Sequence, residues 1–227
     1  MKINPTHSIH SLCPVNTTFF EEIMANDIIH ALVFIQNWGD NTDLMGILKS
    51  NTNVISLFHI MGKRSYLIDA NFDNKEQVEE WITRIKSVKL ASGVPAVQSI
   101  ETQKIIEVHK KKEDFSLQDY RNLVDKFHFF VKIENPHHDE DLIAVLNSDP
   151  IVQSILHVQG ECSYIAEVIT DDYSSYKSLL RKMKDLPSIQ HLETQEIISV
   201  IKYRNQILDE SGNLTLPEKD IREMYTL

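Results

Sequence analysis

The sequence predicts an α+β fold built from two tandem copies of one βαββαβ unit. Three observations carry that prediction. First, Gly62-Lys-Arg-Ser-Tyr66 returns as Gly160-Glu-Cys-Ser-Tyr164, an offset of 98 residues (160 − 62). The same offset aligns Val33 and Ile35 with Val131 and Ile133, Asp43-Leu44 with Asp141-Leu142, Leu48 with Leu146, Val54 with Val152, His59 with His157 and Asp73 with Asp171. Second, Glu101-Thr102-Gln103 returns as Glu193-Thr194-Gln195 at an offset of 92 (193 − 101), so the first copy carries six extra residues, placed around Ser87–Gly93. Third, both copies show the same alternation of period-2 and period-3.6 apolar patterns, in the same order.

The elements follow in sequence. Residues 28–36 and 126–134 read as strands, with Ile29, Ala31, Val33 and Ile35, and Phe127, Phe129, Val131 and Ile133, alternating on one face. Leu32, Phe34 and Phe130 make the opposite face apolar too. A strand apolar on both faces is covered on both. Helices supply one cover, and a second sheet is the natural candidate for the other. Thr42–Ser50 and Glu140–Ser148 carry Leu44, Ile47 and Leu48, and Leu142, Val145 and Leu146, at helical spacing, with Asp and Thr residues available as caps. Strands follow at Val54–Met61 and Val152–Gln159, then a Gly turn, then Ser65–Ala70 and Ser163–Val168. Asp73-Asn74 and Asp171-Asp172 open a second helix with Val78, Trp81, Ile82 and Ile85, or Tyr176, Leu179, Leu180 and Met183, on its apolar side. Beyond Pro95 and Pro187 the last strands run Val97–Val108 and Ile189–Val200. The order is that of the ferredoxin-like split βαβ.

These boundaries divide the chain into an N-terminal extension (1–26), a first repeat (27–110), a charged connector (111–124), a second repeat (125–203) and a polar tail (204–227) whose stretch Glu218–Tyr225 has the pattern of one short helix. The first 26 residues are too short and too weakly patterned for a helix-turn-helix. The net charge is −10, and the basic cluster Lys110-Lys111-Lys112 is followed at once by Glu113-Asp114. Phosphate neutralisation needs a basic surface, so direct nucleic-acid binding is not expected. No apolar run has the length of a membrane helix, and the N-terminus has no apolar core of a secretory signal. The two cysteines, Cys13 and Cys162, give neither a disulfide framework nor a zinc pattern. A cytoplasmic protein without a cofactor is the expectation.

With these landmarks, each copy resembles the effector-binding domain of the Lrp/AsnC feast/famine regulators. Three features carry the resemblance. One is a strand ending in a Gly turn followed by a Tyr-led strand (His59-Ile-Met-Gly62-Lys-Arg-Ser65-Tyr66; His157-Val-Gln-Gly160-Glu-Cys-Ser163-Tyr164). The second is the acidic start of the second helix, and the third is a last strand with Thr102 or Thr194 near its beginning. The chain departs from the family in having Ser65 and Ser163 where an acidic residue is usual, and in showing no DNA-binding domain. The resemblance implies a dimeric α/β-barrel type of assembly, here an intramolecular pseudo-dimer. It implies a non-enzymatic protein that senses an amino-acid-like metabolite and acts through homo-oligomerisation or a partner. It also implies a ligand site at Gly62, Ser65, Tyr66 and Thr102 and at Gly160, Ser163, Tyr164 and Thr194.

Simpler roles stand beside these. Glycine supplies turn conformations, Tyr and Thr favour strands, and a strand histidine is more often structural than a ligand. His59 and His157 nevertheless occupy equivalent positions between apolar neighbours. The same barrel arrangement hosts haem- and tetrapyrrole-handling enzymes, so an enzyme with haem or metal at these two histidines is the alternative reading. A purely structural oligomerisation module is the third. The run His137-His138-Asp139-Glu140-Asp141 is rich in ligand types but has no equivalent in the first copy, and no metal is expected there. Cys162 has no evident His partner and is not expected to be a nucleophile.

Overall fold

The computed structural model describes residues 28–39, 41–111, 126–136, 139–204 and 206–208. The N-terminal extension, most of the connector, His137, His138 and the helix expected at Glu218–Tyr225 lie outside these residues. The first repeat comprises β1 (Ile29–Asn37), α1 (Thr42–Ser50), β2 (Val54–Met61), β3 (Tyr66–Phe72), α2 (Lys75–Lys86) and β4 (Val97–Lys111). The second comprises β5 (Phe127–Glu134), α3 (Glu140–Ser148), β6 (Val152–Gln159), β7 (Tyr164–Thr170), α4 (Tyr173–Lys184) and β8 (His191–Tyr203), followed by the short β9 (Gln206–Ile207). The duplicated βαββαβ order is therefore present. The six-residue insertion falls between α2 and β4, in a loop closed by the Lys89–Pro95 bridge.

Helix starts follow capping chemistry. Asn41, Asn74, Asp139 and Asp172 each accept hydrogen bonds from backbone N–H groups of the first turn, which would otherwise lack partners. Asp172 is held near a pKa of about 2 by bonds from Ser174 and Ser175.

The strands form one antiparallel sheet in the order β2-β3-β1-β4-β6-β7-β5-β8, closed by β8 pairing with β2. The result is an eight-stranded barrel, with β9 added at β8. Each repeat supplies four adjacent strands, and the joints are β4–β6 and β8–β2. These joints share one register. Leu57 faces Lys202 as Ile155 faces Lys110, and His59 faces Ser199 as His157 faces Glu107. The pseudo-dimer thus has an internal two-fold relation.

Barrel closure explains the doubly apolar strands. Ala31, Val33 and Ile35 pack against the helices of the first repeat, and Phe129, Val131 and Ile133 against those of the second. The opposite faces (Leu32, Phe34, Phe58, Ile60, Leu67, Phe130, Val158, Ile165) meet in the barrel interior. The second cover expected for β1 and β5 is therefore the far wall of the barrel, joined edge to edge with the near wall, rather than a separate sheet. Near the middle of the barrel, buried Glu101 takes hydrogen bonds from Arg64 (3.0 Å) and Gln103 (2.5 Å) and pairs with Lys132, which also reaches Glu193 at 3.3 Å.

The largest departures from the expected strand boundaries, three residues each, are at the ends of β4 and β8. β4 continues to Lys111, three residues past Val108, and β8 continues to Tyr203. Each extension is paired with a strand of the other repeat, where Lys110 and Lys111 face Ile155 and Ser154. Lys110 and Lys202 also place their ammonium groups on backbone carbonyls at the C-terminal ends of α3 and α1 (Asn147 and Asp149; Asn51), a favourable position for a cation.

Candidate functional site

At the Gly turns, Ser65 and Ser163 are tied to the ends of β1 and β5. Their Oγ atoms accept from the N–H of Asn37 and Asn135 at 3.4 Å, and their N–H groups donate to Ile35 and Ile133. Tyr66 and Tyr164 are buried in the two helix-facing cores. The two-fold relation crosses the partners. Gly62 lies against Thr194 and Gln195, and Gly160 against Thr102 and Gln103. A Cβ on Gly160 would sit 2.0 Å from Gln103 Oε1 and 2.9 Å from the Thr102 carbonyl. Gly62, at φ +145°, would meet Gln195 Oε1 at 2.6 Å. Thr194 exchanges a 2.5 Å hydrogen bond with Tyr176, whose hydroxyl burial pushes up to about 12. Burial likewise pushes the Cys162 thiol to about 12, which keeps it protonated at neutral pH.

The two histidines have unequal surroundings. The His59 ring meets Tyr66 at a tilt, 5.6 Å between centroids, and the residues facing it from β8 are Ser199 and its neighbours. His157 stacks on Tyr164 at 4.9 Å and lies 6.1 Å from His109, nearly parallel to it. His109 and Glu107 come from β4, where a bulge between Val108 and Lys110 falls at His109, and Glu107 is the cross-strand partner of His157. Glu107 Oε1 is 3.6 Å from His109 Nδ1 and Oε2 is 3.9 Å from His157 Nδ1, so one carboxylate lies between two imidazoles. Potential ligand atoms of the three residues lie within 4.8 Å of one another. The two-fold equivalents of Glu107 and His109 (92 residues on) are Ser199 and Ile201, so this chemistry exists on one side of the molecule.

His109 also borders a crevice of about 280 Å³ against α3, lined by Glu140, Ile143, Ala144 and Asn147. A second crevice lies on the outer side of α2 among Glu76, Glu79, Glu80, Thr83 and Arg84 and has no such cluster. Sequence alone does not reveal the Glu107–His109–His157 group, because the apolar alternation of the last strand ends at Val108 and nothing local pairs that strand with His157. The Glu-x-His spacing at 107–109 was its only local signal.

The crevice beside His109 is about 280 Å³, close to the lower end of the ~300–1,000 Å³ of pockets that enclose drug-sized ligands. His59 and His157, the pair of the haem or metal alternative, lie at different joints of the barrel, His59 on β2 against β8 and His157 on β6 against β4.

Among family models, the Lrp/AsnC ligand binding domain matches residues 128–207, the greater part of the second repeat and about a third of the chain. No curated protein matches the sequence. Among solved structures, a chlorite dismutase variant from Candidatus Nitrospira defluvii in complex with cyanide is 7% identical, with a TM-score of 0.49 over 79% of this chain and 94% of that one. The chlorite dismutase of that organism in complex with imidazole is 8% identical, with a TM-score of 0.47 over 80% and 95%. An anthrone oxidase-like protein is 12% identical, with a TM-score of 0.45 over 78% and 94%. At such identities the likeness concerns the fold. The expectation of a non-enzymatic, amino-acid-sensing regulator is corrected here, since the structural relatives are a dismutase and an oxidase-like protein. No helix among the described residues is long and apolar enough to cross a membrane.

Proposed function

We propose that the chain is an enzyme of the dimeric α/β-barrel type that acts on a small polar ligand beside His109 and His157. The observation that carries this is the cluster of Glu107, His109 and His157 at one of the two barrel joints, with His109 also lining the crevice against α3. Imidazole is the side chain best suited to move protons near neutral pH. Glu107 faces the Nδ1 atoms of both rings. Buried Tyr164 stacks on the His157 ring and meets the His109 ring at a tilt. Glu140 and Asn147 supply polar contacts at the rim, and Ile143 and Ala144 an apolar wall.

The test is a thermal-shift screen of the full chain against small metabolites, in chelator-treated buffer. A ligand that binds the native state raises the melting temperature. Ligands of the proposed site lose their shift in His157→Ala and in Ala144→Trp, which fills the crevice, and keep it in His59→Ala. Ligands indifferent to the first two variants would place function elsewhere.

A further inference from the structure

We infer that Glu107, His109 and His157 form a binding site for one divalent first-row transition-metal ion, of the zinc or cobalt kind. The inference rests on the crevice site proposed above and gives it a Lewis-acidic centre. Two imidazole nitrogens and a carboxylate are a donor set used for catalytic zinc and for ferrous iron, with positions left open for water or substrate. Bonds of ~2.0–2.1 Å around a tetrahedral ion separate neighbouring ligand atoms by roughly 3.4 Å. The carboxylate oxygens here lie 3.6 and 3.9 Å from the two imidazole Nδ1 atoms. The donor atoms of the three residues lie within 4.8 Å of one another, so side-chain rotation must close up to about 1.4 Å to reach that tetrahedral spacing, and the Glu107 side chain, 58% exposed, has room for its share. His157 is set on β6 and stacked on Tyr164, and His109, 12% exposed, comes from the neighbouring strand β4. Ligands carried on a sheet are held more tightly than ligands on loops. Imidazole donors favour such ions over magnesium or calcium, which prefer oxygen ligands.

The two-fold relation gives an internal control. The equivalent place in the other half pairs His59 with Ser199, with Ile201 where His109 would stand, and cannot complete the set. One site per chain follows, not two.

The experiment is a titration of chelator-treated full-length protein with Co2+ alone, read by visible absorption and by calorimetry, with no substrate present. About one Co2+ per chain is expected, with the visible bands of a low-coordinate imidazole-bound ion. Glu107→Gln, His109→Ala and His157→Ala each weaken binding by more than the ~10- to 100-fold typical of losing an outer-shell partner. His59→Ala and the double variant His137→Ala/His138→Ala leave it unchanged. Unaltered melting of the metal-free variants shows that the fold is intact, and Glu107→Gln keeps the side chain's shape if an alanine variant fails that check. Absence of Co2+ binding, or binding lost with His137 and His138 but kept without His157, overturns the inference. Because the metabolite screen is run in chelator, crevice ligands that persist without Co2+ binding would remove the metal and leave the crevice.

Discussion

Glu101 concentrates the electrostatics of the barrel interior. Burial alone would raise its carboxyl, but hydrogen bonds from Lys132, Gln103 and Arg64 outweigh that and hold it below the usual glutamate range. Burial alone would lower Lys132, and Glu101 and Glu193 outweigh that and raise it. The signs define a window. Glu101 stabilises the fold above the unfolded glutamate value of ~4.3, and this is lost as pH falls through its lower folded value. Lys132 contributes fully below its unfolded value of ~10.4, and this is lost as pH rises through its higher folded value. Glu101→Gln leaves Lys132 and Arg64 without their shared carboxylate. It should cost about 3–5 kcal/mol at pH 7 and flatten the acid side of a stability profile measured by urea unfolding. An unchanged profile would mean that the charges are solvated rather than paired.

At the scale of elements, the Gly turns decide how the repeats interlock. Gly160→Ala should destabilise by about 1–3 kcal/mol in urea unfolding, because its Cβ meets Gln103 and the Thr102 backbone. Adding Gln103→Ala should restore part of that loss, while the backbone contact keeps the remainder. No loss in the single variant would show that the turn is not packed on β4. The duplication, most strand positions and the Asp139 cap were legible, because periodicity and capping are local, whereas the first helix is capped by Asn41 rather than by Thr42 or Asp43. The ends of β4 and β8 were not. His109-Lys110-Lys111 lies beyond the apolar alternation that ends at Val108, and it is pairing with β6 of the other repeat that makes it strand. The same non-local pairing hid which threonine lies at which Gly turn. Glu107 and His109 were likewise invisible as a site until the barrel joint brought them to His157.

The whole molecule is a barrel that one repeat cannot close alone. A fragment of residues 126–208 would leave the β6 and β8 edges unpaired and the inner face around Phe130 and Ile165 uncovered. It should associate into a dimer that rebuilds the barrel by pairing β8 with β6 of a second copy, seen by light scattering. A stable monomer would contradict the closure account. The closed barrel is nearly symmetric in register but not in chemistry, and the account places function where the symmetry breaks. Histidine-selective NMR of the full chain, recorded with ligands from the metabolite screen, tests that most directly. The account predicts that the ring signals of His109 and His157 shift together while those of His59 stay in place. Shifts confined to His59 and the surroundings of Gly62 and Gly160, with His109 and His157 unmoved, would contradict it.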